Sequence, residues 1–205
     1  MKKLLLLPLA LAFASNAAIA ANSVDLRVTG TITPAACDIT LVGGDVDFGS
    51  LSGSDLSSTS DTPLTPIVRN LNILCTGATQ VGITAIDNRA GTNASHAYGL
   101  GVDSASEKIG GYAIDFKATT TDGSAGQLTR SNDSGATWTR MSSGFIEPSP
   151  TQIWSWAATG TNAPIPVTSV NQEFEIDASI AATNTLDTST EITLDGSATI
   201  ELVYL

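Results

Sequence analysis

Apolar and polar residues alternate one by one along much of this chain, in short runs separated by clusters of Gly, Asn, Asp and Ser. A period of two is the signature of strands with one buried face, because side chains on a strand point alternately to opposite sides. Phe174, Ile176, Ala178 and Ile180 interleave with Glu173, Glu175 and Asp177, so residues 167–180 are expected to form a strand with one face in a core. Residues 198–205 repeat the pattern at the end of the sequence. There Ala198, Ile200, Leu202 and Tyr204 share one face, Thr199 and Glu201 the other. Residues 24–32 alternate as well, with Val24, Leu26, Val28, Gly30 and Ile32 opposite Asp25, Arg27, Thr29 and Thr31. Further strands are expected at 46–48, 67–75, 80–87, 108–117, 127–130 and 151–157, and a Ser-rich loop at 55–61. No amphipathic helix competes with them. The elements predict an all-β chain folded as a single β-sandwich.

The first twenty residues fall outside that pattern. Lys2 and Lys3 precede an apolar run, and Ala18-Ile19-Ala20 offers the small-x-small site of a signal peptidase. Residues 1–20 are therefore expected to be a signal peptide, cleaved before Ala21, which leaves 21–205 as the domain. The apolar run is too short to span a bilayer, and no later stretch is suited to membrane insertion. Without Lys2 and Lys3 the chain has seven basic and twenty acidic residues, a net charge of −13. That balance argues against nucleic acid and anionic lipid as partners. Cys37 and Cys75 are the two cysteines, and in an exported chain they are expected to form one disulfide.

Several of these segments together resemble the subunits of chaperone–usher fimbriae. The resemblance is carried by residues 28–37, an alternating run ending in Cys37, by Val46-Asp47-Phe48-Gly49-Ser50-Leu51, by Leu71-Asn72-Ile73-Leu74-Cys75, and by Gly196 followed by alternating apolar residues and the penultimate Tyr204. The stretches at 85–92, 98–101 and 108–112 look like an uncharacterised family of fimbria-like exported bacterial proteins. The resemblance implies an immunoglobulin-like, pilin-type sandwich that lacks its final strand and is completed by a donor strand from another chain. It implies three kinds of partner: a periplasmic pilus chaperone, an outer-membrane usher and neighbouring fimbrial subunits. Ala198, Ile200, Leu202, Tyr204 and Leu205 would form the interface for chaperone and donor strand. Val24, Leu26 and Val28 would be the donor residues. The location implied is the periplasm, then the fimbria or cell surface. A second arrangement stays open: if 24–32 is wholly the first strand, no donor remains and the sandwich is self-complete or terminal.

Three features invite chemistry. Ser131-Asn132-Asp133-Ser134-Gly135-Ala136-Thr137-Trp138 matches the Asp-box S-x-D-x-G-x-T-W, a turn device in which the Asp caps backbone N–H groups. Trp154 and Trp156 share a strand face. Buried, they are core; exposed, they would stack on host or surface glycans. His96 is the single histidine, and no serine has a nucleophile context such as G-x-S-x-G. No catalytic residue, metal ligand or cofactor is expected. The function expected is a structural or adhesive fimbrial subunit. A lectin-like adhesin, stand-alone or at a fibre tip, is one alternative. A secreted carbohydrate-active enzyme, suggested by the lone Asp-box, is the other.

Overall fold

The computed structural model describes residues 26–31 and 36–205. The described residues fall into two units, 26–31 and 36–205. In the first unit, residues 26–31 form no strand, and Leu26 and Val28 are 87% and 86% exposed. The alternation at 24–32 therefore does not make a strand over these residues, since a strand needs a neighbouring edge to satisfy its backbone. Val24, the third donor residue, lies outside the described residues, as does the expected signal peptide at 1–20.

The second unit is all-β. Its strands are β1 (Cys37–Val42), β2 (Thr62–Pro63), β3 (Ile67–Thr79), β4 (Val81–Asp87), β5 (Tyr98–Gly99), β6 (Gly110–Thr121), β7 (Ser124–Ala125), β8 (Gln127–Ser131), β9 (Thr139–Met141), β10 (Gly144–Ile146), β11 (Ile153–Ala157), β12 (Val167–Ile180) and β13 (Ala198–Tyr204). One sheet has the order β1-β3-β12-β6-β10, with β2, β5 and β7 paired at its margins, and the other β13-β4-β11-β8-β9. All strand pairings are antiparallel. The two sheets face each other across one core, as expected for a β-sandwich.

The long strands follow their patterns. In β12, Phe174, Ile176, Ala178 and Ile180 are buried while Glu173, Glu175 and Asp177 are partly exposed. Cys37 lies opposite Cys75 in the β1–β3 register, and the two form the expected disulfide. The first strand begins at Cys37 rather than before it. Residues 46–48, expected as a strand, belong to no strand. The turn at Gly43 and Gly44, both at positive φ, carries the chain off the sheet edge after Val42.

Trp154 and Trp156 are 0% and 1% exposed, so the glycan-stacking role is corrected: neither ring can present a face to a ligand. β11 sits between β4 and β8, and its inward face is covered by the opposite sheet. Trp154 meets Phe116 edge-on at 5.2 Å between ring centroids and donates its Nε1–H to Gln152 Oε1 at 2.8 Å. Trp156 donates to Gln172 Oε1 at 3.3 Å. Each indole thus buries its apolar body and satisfies its polar tip.

Candidate functional site: an apolar groove between two sheet edges

β1 and β13 are edge strands, one in each sheet. Among the described residues each pairs with a strand on one side, β1 with β3 and β13 with β4, and with no strand on the other. Between these edges runs a groove with a cavity of about 580 Å³. Leu71, Tyr112, Ile114, Phe174 and Ile176 of the larger sheet line it, and all belong to the core. A second cavity of about 600 Å³ continues it between residues 46–56 and 186–194, and Val46, Phe48 and Leu194 border both.

The first wall is β1 with the unpaired stretch that follows. Ile39 and Leu41 point into the groove, then Val46 and Phe48 beyond the turn. Arg69 holds that turn. Its Nε donates to the Gly44 carbonyl at 3.2 Å and its Nη2 to the Asp45 carbonyl at 2.6 Å. A Cβ on Gly43 would lie 2.9 Å from Arg69 Cδ, so the side chain packs directly over bare backbone.

The second wall is longer than β13. Ile192, Leu194, Ala198, Ile200 and Leu202 are all part-buried against the core, although only Ala198–Tyr204 pair with β4. Gly196 interrupts the row because a Cβ there would come within 3.0 Å of both Tyr112 and Leu100. The unpaired part of this wall is fixed by polar contacts. Arg89 makes a two-pronged bond to the Asp195 carboxylate at 2.8 and 2.8 Å. The Asp195 N–H donates to the Leu100 carbonyl at 2.9 Å. Asn88 Nδ2 donates to the Ser197 and Thr199 hydroxyls, each at 3.0 Å. The Asp187 N–H donates to the Asp103 carboxylate at 2.6 Å. The Arg89 hydrogen bond holds the Asp195 carboxyl below its usual range, and the Asp187 N–H does the same for Asp103. Sequence reading missed these clamps, since Arg89 and Asp195 are distant in the chain and carry no motif.

Of the expected interface residues, Ala198, Ile200 and Leu202 face the core side of the groove. Tyr204 is 54% exposed, and its hydroxyl accepts the Cys37 N–H at 2.9 Å, bridging the two walls at one end. Leu205 is exposed, and its N–H donates to the Gln80 carbonyl at 3.1 Å.

Two further clusters of polar side chains are engaged in local contacts. In the Asp-box turn, Asp133 Oδ1 accepts from Ser131 Oγ at 2.7 Å and from the Thr137 N–H at 2.8 Å, and Oδ2 accepts from Thr137 Oγ1 at 2.6 Å. These bonds, that of Ser131 foremost, lower the Asp133 pKa to about 2. Trp138 Nε1 closes the turn onto the Gly135 carbonyl at 3.0 Å. Asp115, Glu175 and Asp177 cluster on the outer face of the larger sheet, where Lys117 pairs with Asp115 and, at 2.9 Å, with Glu175. Hydrogen bonds to Asp115 and then Glu175 raise the Lys117 pKa. Among the described residues, no helix is long and apolar enough to cross a membrane.

Residues 26–126 match the model of a family described as protein of unknown function (DUF1120). The matched stretch contains β1 and the first wall of the groove, whereas β13 lies beyond it. Over nearly the whole chain the protein is 29% identical to two proteins of Escherichia coli (strain K12). One is the uncharacterized protein YhcF, with 95% of each chain aligned. The other is protein GltF, with 96% of this chain and 94% of that protein aligned. Neither name states an activity.

Proposed function

We propose that this chain is a structural subunit of a surface fibre, exported to the periplasm and joined to its neighbours by strand addition between β1 and β13. The groove carries this reading: two unpaired edges from different sheets flank one apolar trough lined by core side chains. A single inserted strand would satisfy both edges and cover the trough, using main-chain hydrogen bonds for affinity and alternate side chains for fit. Val24, Leu26 and Val28 of a donor segment would each contribute about 1.5–3 kcal/mol on full burial. Before assembly a periplasmic chaperone would supply the strand, and at an outer-membrane usher the neighbouring subunit would replace it.

The test is periplasmic expression with and without a pilus chaperone, for the full chain and for a chain truncated after Asp195. The full chain should accumulate only with the chaperone, and the truncated one with neither. A full chain that accumulates in the periplasm as a stable monomer without a chaperone would refute strand addition. The lectin alternative has lost its named platform with the burial of Trp154 and Trp156. In the Asp-box, the Asp133 carboxylate is engaged in holding the turn, which lends the enzyme alternative no support.

A further inference from the structure

The groove is apolar within and acidic along its rims. Outward residues of its walls include Asp38 on β1 and Glu201 on β13, both exposed. Among the described residues neither enters an ion pair. Asp47 and Glu191 add negative charge along the second cavity. The basic residue lining the groove is Arg69, and its guanidinium is spent on the carbonyls of Gly44, Asp45 and Val68. The trough therefore favours a strand that is apolar on one face and carries a positive charge on the other where it passes Asp38 and Glu201.

Resting on the strand-addition reading, we infer that the occupant is residues 24–32 of a second copy of this chain, and that its Arg27 sits between Asp38 and Glu201 and sets the register. Both carboxylates lie within three residues of the Cys37–Tyr204 bridge. With Leu26 and Val28 turned inward, Arg27 faces outward, and it is the one basic residue of the segment. Arg27 is exposed and, among the described residues, unpaired. A strand seated between two others has a cross-strand neighbour on each side, close enough for opposite charges to attract and like charges to repel. The long, forked guanidinium can reach carboxylates on both.

Apolar alternation alone cannot define one register. A slip by one residue turns the apolar face outward and is excluded. A slip by two keeps it buried. In one direction that slip places Asp25 between two carboxylates, and in the other it places uncharged Thr29 there. Charge therefore selects among registers that all keep the apolar face inward. It also offsets locally the repulsion between two copies that each carry a large negative charge.

The test uses protein recovered from its chaperone complex and refolded, with a fluorescent synthetic peptide of residues 24–32, at low salt. The Arg27→Glu peptide should bind about tenfold more weakly than the natural one, from two attractive pairs becoming repulsive. An Asp38→Lys/Glu201→Lys protein should reverse that preference, and added salt should narrow it. Both substitutions are at exposed positions, so the variant is expected to fold. Equal affinity of the two peptides for the unaltered protein would overturn the charge register while leaving strand addition standing. Binding of neither peptide would overturn both. An unrelated alternating peptide with Lys at every outward position, if it bound more than tenfold tighter than residues 24–32, would give the groove to a basic partner strand instead of a second copy.

Discussion

The two long sides of this sandwich are closed in different ways. On one side β9 belongs to the smaller sheet and β10 to the larger, with only Ser142 and Ser143 between them, so the chain itself crosses from sheet to sheet. Behind that crossing Trp154, Phe116 and Ile146 are fully buried, and Tyr98 donates its hydroxyl to the Ile146 carbonyl at 3.0 Å. The Arg130 guanidinium lies 5.6 Å from the Trp154 ring centre, where the π face supplies part of what its unbonded Nε lacks. On the other side β1 and β13 come from opposite ends of the folded unit. Their bridge is the hydrogen bond from the Cys37 N–H to the Tyr204 hydroxyl, and the apolar side chains along it are only part-buried. Consecutive strands can seal a sandwich locally, whereas edges distant in sequence need a further element between them.

The contrast can be broken first at its strongest point. Trp154→Ala should cost about 3–5 kcal/mol in chemical denaturation, as expected for a fully buried large aromatic. A loss below about 1 kcal/mol would mean that the closed side is not the rigid half. Next comes the disulfide. Replacing Cys37 and Cys75 with Ala should cost roughly 4 kcal/mol for a crosslink spanning 38 positions, because the unfolded chain regains its loop freedom. Unchanged thermal stability under oxidising conditions would contradict that.

Ile200→Ala sharpens the comparison further. Alone it should cost about 1–2 kcal/mol, since the side chain is part-buried. With a strand bound in the groove it should cost more, which titration of a donor peptide against both proteins would reveal. An equal cost with and without the peptide would place the strand elsewhere.

The smallest expected effect is that of acid. Asp133 is held at about 2 by Ser131 and Thr137, and Asp195, Asp103, Asp187 and Asp122 are also lowered by their hydrogen-bond donors. A carboxyl whose folded pKa is below its unfolded one binds fewer protons when folded. Its stabilisation is complete above about pH 4 and fades as the pH falls toward 2. Calorimetry should show the melting temperature dropping over that window, and Asp133→Asn should shallow the drop. A melting temperature that stays flat down to about pH 2.5 would show that these bonds contribute nothing. Asp195 and Asp103 anchor the groove's second wall, so proteolysis between residues 186 and 197 should rise first in acid.

Legibility in the sequence followed the same divide. β12 was readable to its end residues because its outward face is charged and its inward face is Phe, Ile, Ala and Ile. β13 was readable for the same reason. By contrast, residues 24–32 and 46–48 also alternate, yet the described residues of the first and all of the second lack a strand partner. Alternation reports which way side chains would point, not whether an edge is available to pair with. The tryptophans made the complementary point. Their spacing placed both on one face, but whether that face was core depended on a second sheet that a local pattern cannot report. The clamp from Arg89 to Asp195 left no local trace at all, since its partners are 106 positions apart.

Cys37 is the first residue of β1 and is bonded to the middle of the sandwich through Cys75 in β3. Mechanical load applied to the segment before it would not peel β1 away one hydrogen bond at a time. The force would pass at once through a covalent link into a strand flanked on both sides, β1 on one and β12 on the other. Any tether attached ahead of residue 37 is thus anchored in the body of the domain, and the wall of the groove that β1 forms is spared the strain.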